Sequence, residues 1–276
     1  MSRFSKYSGA GNDFVIVRAE EIGLSDPERL ASRICPRPTG VGVDGLILVR
    51  SLSEDRVRSR FFNPDGSEFG TCGNGSRCAA RYSHDRGLVG DGPFGLVTDD
   101  GEVGSEVDRA SGIVSLDYRL GAFVQREIEV DLAGTPVTGW LVQIGTPHFV
   151  IALPELPNGS IDVMCRAVRH HPELGSEGAN VDLVTPTGPD SAAIRTFERG
   201  VEAETQACGS GSMAATLAFQ RAGLGGEAMS LQTRSGQTLL VELLPEDVIR
   251  LAGPAWHIFD GVFPDEIPGT SRNYSP

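Results

Sequence analysis

The sequence predicts an α+β fold of two pseudo-symmetric lobes, each a curved, mostly antiparallel sheet around a central helix. Two observations carry this prediction. Several short phrases return once along the chain, and strand-like segments outnumber helix-like ones. The 276 residues are enough for two domains of ordinary size. Two like halves naturally pack about a pseudo-twofold axis.

The repeat is clearest at two cysteines. Cys72 opens the phrase Cys-Gly-Asn-Gly-Ser, and Cys208 opens Cys-Gly-Ser-Gly-Ser. Shorter matches accompany them: Phe-Val-Ile at 14–16 and 149–151, Thr-x-x-Gly at 98–101 and 233–236, and Val-Asp at 43–44 and 181–182. We interpret the chain as a duplicated half.

In the first half, apolar and β-branched runs near glycine predict strands at 14–18, 46–50, 57–62 and 96–98, and a helix is expected at 27–34. From Gly73 to His84, one helical face carries Cys78, Ala79 and Tyr82 before the stop at Gly87.

In the second half, the matching helical face ends before Gly223 and comprises Met213, Ala214, Leu217 and Ala218. Alternation of apolar and polar residues from 115 to 130 predicts strands between the copies. We place the lobe boundary near Leu120-Gly121. The predicted N-terminal lobe is 1–120, completed by 264–276, and the C-terminal lobe is 121–263.

Composition limits the classes of function. Apolar content of 39% with 22% charged residues is typical of a globular protein rather than a disordered one. A net charge of −13 argues against nucleic acid and anionic membranes as partners, since both attract clustered Lys and Arg. With no predicted signal peptide or membrane span, a cytoplasmic location is expected.

Five cysteines are an odd number and too few for a disulfide framework, so free thiols are expected. Cys35, Cys78 and Cys165 lack the repeated phrase. Cys78 corresponds to Ala214 in the other copy and is interpreted as core packing. No Cys-x-x-Cys pair occurs, and no metal site is expected.

The cysteine phrases predict proton-transfer chemistry. A thiol at the first turn of a helix faces unpaired backbone N–H groups and the positive end of the helix dipole. Both are expected to lower the cysteine pKa from about 8.5 towards neutrality. The following glycines let a ligand approach the backbone, and an amino-acid carboxylate between two helix N-termini would receive hydrogen bonds from both.

Such a carboxylate would place its Cα between the two sulfur atoms. One cysteine, as thiolate, removes the Cα proton, and the other, as thiol, supplies a proton to the opposite face. The N–H groups stabilise the developing enolate charge. This indicates a cofactor-independent epimerase or racemase. No lysine phrase for pyridoxal phosphate and no dinucleotide-binding phrase is present, so no cofactor is expected. A lone cysteine at a helix start is more often a small buried apolar residue, but two at equivalent places are unlikely to be accidental.

The phrases around both cysteines resemble those of the diaminopimelate epimerase family. The matching segments are 9–14, 40–45, 62–68 leading to 72–75, 145–148, 180–181, and 198–200 leading to 204–211. They cover essentially the whole chain in order, so the resemblance is specific. It implies the family's fold, conversion of LL- to meso-diaminopimelate for lysine and peptidoglycan synthesis, and a homodimer with Phe259 as an interface residue.

The resemblance also implies roles for individual residues. Cys72 and Cys208 are the catalytic pair, and His148 and Glu198 tune their protonation. Glu198 also suits a substrate ammonium group. The implied substrate-binding residues are Asn12, Asn63, Gly73, Asn74, Thr146, Asn180, Glu198, Arg199, Gly209 and Ser210.

Diaminopimelate has two amino-acid ends, and one is held while the other reacts. The chain departs from the family pattern at residues that concern binding of the held, distal end. Thr146 stands where many members have Asn, Gly45 where some have Gln, and Thr71 where Met is frequent. One extra residue lies between Gly200 and Glu204. These departures concern specificity rather than the two thiols.

Two other functions stay open from the sequence. A proline or hydroxyproline racemase shares the facing cysteines, but such enzymes usually carry His where this chain has Asn74. A redox-sensing protein whose two cysteines form a reversible disulfide is the second alternative.

Overall fold

The structure is a computed structural model that describes residues 2–21, 26–121, 124–132 and 134–264. Eighteen strands in this part of the chain form one continuous sheet that folds into two halves. Each half surrounds one long helix, so the predicted two-lobed α+β fold is confirmed. No helix in the described ranges is both long and apolar enough to span a membrane.

The first half contains eight strands and two helices. In chain order they are β1 (Ser2–Gly9), β2 (Asn12–Arg18), α1 (Pro27–Ile34), β3 (Gly45–Ser53), β4 (Arg56–Phe62), β5 (Glu68–Phe69), α2 (Gly73–Asp85), β6 (Phe94–Thr98), β7 (Gly101–Val107) and β8 (Ile113–Arg119). Helix α1 begins where predicted because Asp26 accepts a hydrogen bond from the Glu28 N–H and Pro27 occupies the first turn.

The second half repeats this order after one additional strand. Its elements are β9 (Val124–Leu132), β10 (Thr135–Ile144), β11 (Thr146–Ala152), α3 (Asp162–Arg169), β12 (Asn180–Gly188), β13 (Ser191–Glu198), β14 (Ala203–Thr205), α4 (Gly209–Ala222), β15 (Ala228–Gln232), β16 (Thr238–Leu244), β17 (Val248–Pro254) and β18 (Trp256–Phe263).

Parallel pairs occur at matching places in the two halves. Strand β2 lies parallel to β3 and β11 to β12, while β4 lies parallel to β6 and β13 to β15. A parallel pair needs a crossover connection, and a helix supplies it in each case: α1, α3, α2 and α4 respectively. The other pairings are antiparallel, for example β3 with β4 and β12 with β13.

The central helices supply much of the core of each lobe. In the first lobe, Cys78, Ala79 and Tyr82 of α2 pack against apolar residues of the surrounding strands. The equivalent face of α4 packs into a second cluster in the other lobe. Helices α1 and α3 cover the outer faces of the two sheets. Cys78 is fully buried there, as its interpretation as core packing requires.

The final strand returns to the first lobe. Strand β18 pairs with β1 from Ser2↔Phe263 onward, whereas β9 pairs with β10 in the second lobe. The predicted division assigned 256–263 to the C-terminal lobe and began the return only at 264. We propose instead that the N-terminal lobe resumes at β18, because backbone pairing joins that strand to β1. Residues 265–276 of the predicted return lie outside the described residues.

One of the short repeats is not structurally equivalent. The β2–β3 ladder places Phe14 opposite Gly45, and the β11–β12 ladder places Phe149 opposite Val181. Since Phe14 and Phe149 correspond, Val181 occupies the place of Gly45 rather than of Val43. The Val-Asp match at 43–44 and 181–182 was therefore wrong as a repeat.

Candidate active site

The two repeated cysteines stand at the N-termini of the two central helices. Cys72 directly precedes α2 and Cys208 directly precedes α4, both in extended backbone. Among the described residues, neither cysteine caps its helix through a side-chain hydrogen bond. The first N–H groups of both helices therefore remain free of helical partners and point towards the helix ends.

These two helix ends meet. A Cβ placed on Gly209 would lie 3.8 Å from the Gly73 Cα and 2.8 Å from Cδ2 of Leu251. A Cβ on Gly73 would lie 3.4 Å from the same Leu251 carbon. Side chains at these glycines would crowd the junction, so the glycines permit the close approach. The two dipole ends therefore converge on one place between the lobes.

A second contact ties the two phrases together. The Asn74 side chain donates to the Ala207 carbonyl oxygen at 3.1 Å and to Asn12 Oδ1 at 2.7 Å. Asn12 in turn donates to Asp44 Oδ2 at 2.9 Å. Asn74 belongs to the first cysteine phrase and Ala207 directly precedes the second cysteine. The amide of Asn74 thus spans the junction between the lobes.

The Cys208 thiol faces a buried chain of hydrogen bonds. Its sulfur lies 3.4 Å from Ser210 Oγ, and Ser210 Oγ lies 3.0 Å from His148 Nε2. On the other side of the imidazole, His148 Nδ1 lies 2.7 Å from Asp182 Oδ2. Asp182 also accepts from Thr196 Oγ1 at 2.7 Å, and both His148 and Asp182 have 0% exposure. This packing fixes the imidazole.

The direction of the hydrogen bonds between Asp182 and Cys208 follows from the Asp182 carboxylate, which can only accept. With Asp182 accepting from Nδ1–H, Nε2 of His148 is an acceptor whose one lone pair is shared by two donors, the Ser210 hydroxyl at 3.0 Å and Nδ2 of Asn180 at 3.2 Å. The Ser210 oxygen is then free to accept from the Cys208 S–H. The arrangement therefore suits a protonated thiol at Cys208.

Glu198 lies close to both cysteines. It accepts from Thr205 Oγ1 at 2.6 Å and is, beside Ser210, a second acceptor within reach of the single Cys208 S–H. Its negative charge raises the pKa of Cys208 and also that of Cys72. Burial raises the pKa of the Glu198 carboxyl itself. One carboxyl group acting on both thiols is consistent with a shared cleft.

Burial overturns one expectation about the thiols. The helix N-termini were expected to lower both pKa values, and the backbone N–H groups of Gly75 and Asn74 do act in that direction on the pKa of Cys72. Desolvation is nevertheless the largest influence, and it raises the pKa of Cys72 and raises that of Cys208 well above its ordinary value. Loss of water around a thiolate therefore outweighs the nearby N–H dipoles, at the buried Cys208 more than at the half-buried Cys72.

The residues predicted to bind the distal end of the substrate, the amino-acid end that does not react, have local surroundings of their own. The Arg199 backbone N–H donates to Asn180 Oδ1 at 2.7 Å, while its guanidinium lies 3.7 Å from the exposed Glu177 carboxylate. Asn63 follows β4 and donates to Ser67 Oγ at 3.0 Å. Thr146 begins β11, two residues before His148. The roles of these residues stay predictions.

Sequence reasoning assigned no role to Asp182, Arg77 or Tyr118. Asp182 interrupts the buried apolar run of β12, and a single acidic residue in such a run is a signal for a buried polar partner. Arg77 is likewise a charged residue at a buried position, on α2. Tyr118 packs against the cores of both lobes and places its hydroxyl beside Gly73.

All five cysteines are free thiols. No group of three or more His, Cys, Asp or Glu side chains in the described ranges has the geometry to hold a metal ion.

The chain matches the family model of diaminopimelate epimerase over residues 4–121 and 140–257. It is 35% identical to a diaminopimelate epimerase of Aquifex aeolicus over 277 residues, covering 96% of this chain and 98% of that protein. Among solved structures, a phenazine biosynthesis protein of Bacillus anthracis superposes with a TM-score of 0.68 at 15% identity, covering 94% of this chain and 98% of the other.

A hydroxyproline epimerase of Agrobacterium vitis, solved with bound trans-4-hydroxy-L-proline, superposes with a TM-score of 0.63 at 13% identity. The match covers 94% of this chain and 91% of that chain. At these identities the two structural matches show a common fold and nothing finer.

Proposed function

The chain belongs to the diaminopimelate epimerase family, and from this membership we propose that it converts LL-diaminopimelate to meso-diaminopimelate without a cofactor. The product serves lysine and peptidoglycan synthesis. The observation that carries the mechanism is the meeting of the two cysteine-bearing helix ends at Gly73 and Gly209.

The junction supports binding of the reacting amino-acid end. The substrate carboxylate accepts hydrogen bonds from backbone N–H groups in the first turns of α2 and α4, at Gly73, Asn74, Gly209 and Ser210. Two helix dipoles converge there, which favours a negative group. The same N–H groups stabilise the enolate that forms when the Cα proton leaves.

Proton transfer then needs one thiolate and one thiol. The thiolate takes the proton from Cα, and the electron pair of the broken C–H bond moves into the carboxylate. The thiol on the opposite face gives its proton to Cα, which inverts the centre. At the end the first cysteine is protonated and the second carries the charge, so the reverse reaction uses the pair in exchanged roles.

The residues beside the thiols control these protons. His148, fixed by Asp182, and Glu198 hold the hydrogen bonds around Cys208. Without substrate, the thiols resist ionisation because they are removed from water. Binding of the charged substrate displaces the remaining water and leaves the fixed N–H donors around the reacting groups, which helps to activate the thiols.

The distal amino-acid end requires its own contacts. Asn63, Thr146 and Asn180 supply hydroxyl and amide groups, Asn12 holds Asn74 in place, and Arg199 pairs with the distal carboxylate. In binding the substrate, Arg199 gives up its 3.7 Å contact with the exposed Glu177 and forms a bidentate pair with the distal carboxylate. A small cyclic amino acid has no distal carboxylate for this arginine.

We also propose a homodimer that works in the cytoplasm on this small molecule, without nucleic-acid or membrane partners. Strand β18 exposes four large apolar residues, namely Trp256, Ile258, Phe259 and Val262. An exposed apolar strand is suited to an interface between copies. Light scattering on the purified protein checks the mass, and a monomer at micromolar concentration contradicts this part.

The function is tested with purified protein under reducing conditions in D₂O. We expect inversion of LL-diaminopimelate with deuterium gained at Cα, and no turnover of L-proline. Turnover of proline alone would assign the chain to the racemase class. A protein that binds diaminopimelate and exchanges no Cα proton would instead fit a cysteine-pair sensor.

A further inference from the structure

Arg77 is a buried cation on α2, the helix that Cys72 directly precedes. It is the fifth residue after Cys72 on α2 and has 0% exposure. Its Nη2 donates to Asn74 Oδ1 at 2.6 Å, whereas Nε and Nη1 have no hydrogen-bond partner among the described residues. The corresponding residue of the second lobe, five after Cys208, is Met213. Only the first lobe therefore carries a charge at this place.

The elements packed around Arg77 provide no carboxylate partner in the described part of the chain. The groups able to become anions are Cys72 and Cys78 from its own helix and Tyr118 from β8, and β17 contributes the backbone at Gly253. A Cβ on Gly253 would lie 3.2 Å from Arg77 Nε, so glycine there leaves room for the guanidinium. A buried cation with no counter-charge is costly and calls for an anion nearby.

Of the three candidates, Cys72 is the best anion. Burial raises the pKa of Cys78 to about 12 and raises that of Tyr118 as well, which keeps both groups neutral. The backbone N–H groups of Gly75 and Asn74 and the Arg77 guanidinium favour the Cys72 thiolate, whereas burial and the Glu198 carboxyl group oppose it. Asn74 also accepts from the guanidinium, so one residue links the cation to the donors at the sulfur.

The opposite thiol has a more negative environment, because Cys208 faces two carboxyl groups, whereas Cys72 faces Glu198 together with the Arg77 guanidinium. Cys208 faces the carboxyl groups of Glu198 and Asp182, and its single S–H proton has two acceptors within reach, Glu198 and the Ser210 oxygen, while the Gly211 N–H also points to the sulfur. A negative charge at Cys208 would be repelled by these carboxyl groups. It would also remove the S–H proton that Cys208 can donate to the Ser210 oxygen.

We propose that Arg77 is a positioning residue that keeps the negative charge of the resting enzyme on Cys72, leaving Cys208 as the protonated thiol. In the proposed function, on which this inference rests, Cys72 is then the base and Cys208 the acid for the stereoisomer that meets the resting enzyme. Each turnover moves the charge to Cys208. Catalysis in reverse, or proton exchange with solvent, returns it to the Cys72 side.

The test measures alkylation of each cysteine by iodoacetamide as a function of pH, with no substrate, by peptide mass spectrometry. The variants are Arg77→Met, which copies the second lobe, and Arg77→Lys, with Met213→Leu as the matched control. The midpoint of each pH profile is compared, because accessibility scales the rate equally at every pH. Turnover is not needed, so a wrong function and a wrong charge assignment give separate results.

In the wild-type protein, we expect the midpoint for Cys72 to lie below that for Cys208. Arg77→Met should raise the Cys72 midpoint by about one unit, a roughly tenfold slower alkylation at a fixed pH below both midpoints. Arg77→Lys should fall between, and Met213→Leu should leave both profiles unchanged.

A folded Arg77→Met protein with an unchanged Cys72 profile would overturn the proposal. If that variant does not fold, the wild-type profiles decide, since a lower midpoint at Cys208 than at Cys72 contradicts it equally.

Discussion

Cys72 and Cys208 stand at the same place in the two lobes, each in extended backbone directly before a glycine-rich helix. Their polar neighbours differ. Around Cys72 lie two backbone N–H donors and the buried guanidinium of Arg77. Around Cys208 lie Ser210, the His148 relay and the Glu198 carboxyl. The backbone scaffold has been kept in both copies while the surroundings of the sulfur atoms have diverged.

The difference separates geometry from protonation. A reaction on two faces of one carbon needs two groups related by near symmetry, which duplication of the helix ends provides. It also needs one group with a proton and one without, which symmetry alone does not provide. In this chain the side chains at matched positions, above all Arg77 and Met213, supply that asymmetry.

The largest expected effect comes from the thiols themselves. Cys72→Ser and Cys208→Ser should each reduce inversion of diaminopimelate by about 10²–10⁴-fold, because a serine hydroxyl is a far weaker base and acid at neutral pH. The assay is the initial rate of inversion, with circular dichroism to confirm folding. Cys165→Ser, at a buried thiol outside the site, is the control and should retain activity. If either active-site variant kept the wild-type rate, the acid–base assignment would be wrong.

The next comparison concerns two carboxylates. Asp182 is fully buried and accepts from both His148 and Thr196, whereas Asp44 is 36% exposed and pairs with the exposed Arg37. Asp182→Asn leaves one of two buried donors unsatisfied and should lower the free energy of unfolding by about 1–3 kcal/mol.

Asp44→Asn should cost less, about 0–1 kcal/mol, because water replaces an exposed ion pair at little cost. Urea denaturation of the two variants beside the wild type measures both. Equal losses in the free energy of unfolding would show that the buried hydrogen bonds of Asp182 stabilise the protein no more than the exposed ion pair of Asp44 does.

The smallest effect should appear at the junction glycines. A Cβ at Gly209 lies 2.8 Å from Leu251 Cδ2, closer than real contacts allow, while a Cβ at Gly73 lies at an ordinary 3.4 Å from the same atom. Gly209→Ala should therefore lower kcat/KM severalfold by displacing Leu251 and the start of α4, and Gly73→Ala should lower it less. Steady-state kinetics on the pair measures this order. A reversed order would mean that the two helix ends do not pack as described.

Much of the fold was predictable because its signals are local and repeated. The α1 helix follows from Asp26-Pro27, and the central helices follow from glycine-rich starts and glycine stops. Strands β2, β3 and β4 follow from short apolar runs. The proposed return of the chain at β18 leaves no local pattern in the sequence, because the paired residues of β1 and β18 lie 248 to 261 positions apart.

The site was predictable only in part, for a similar reason. The cysteine phrases and the loops resembling the epimerase family identify themselves in the sequence. The Asp182–His148–Ser210 relay depends on three strands or helices meeting, and its members are scattered along the chain. The pKa direction of the thiols was wrong because a helix N-terminus can be recognised in a sequence, whereas the degree of burial cannot.

The central claim is that two sulfur atoms act on opposite faces of one carbon. It is tested most directly by the initial-rate distribution of deuterium when LL-diaminopimelate is converted in D₂O. With separate donor and acceptor, the meso product carries deuterium at the inverted carbon, while the LL substrate recovered at low conversion stays unlabelled. Deuterium appearing in the recovered substrate as fast as in the product would mean that a single group serves both faces, and the account of paired thiols would be contradicted.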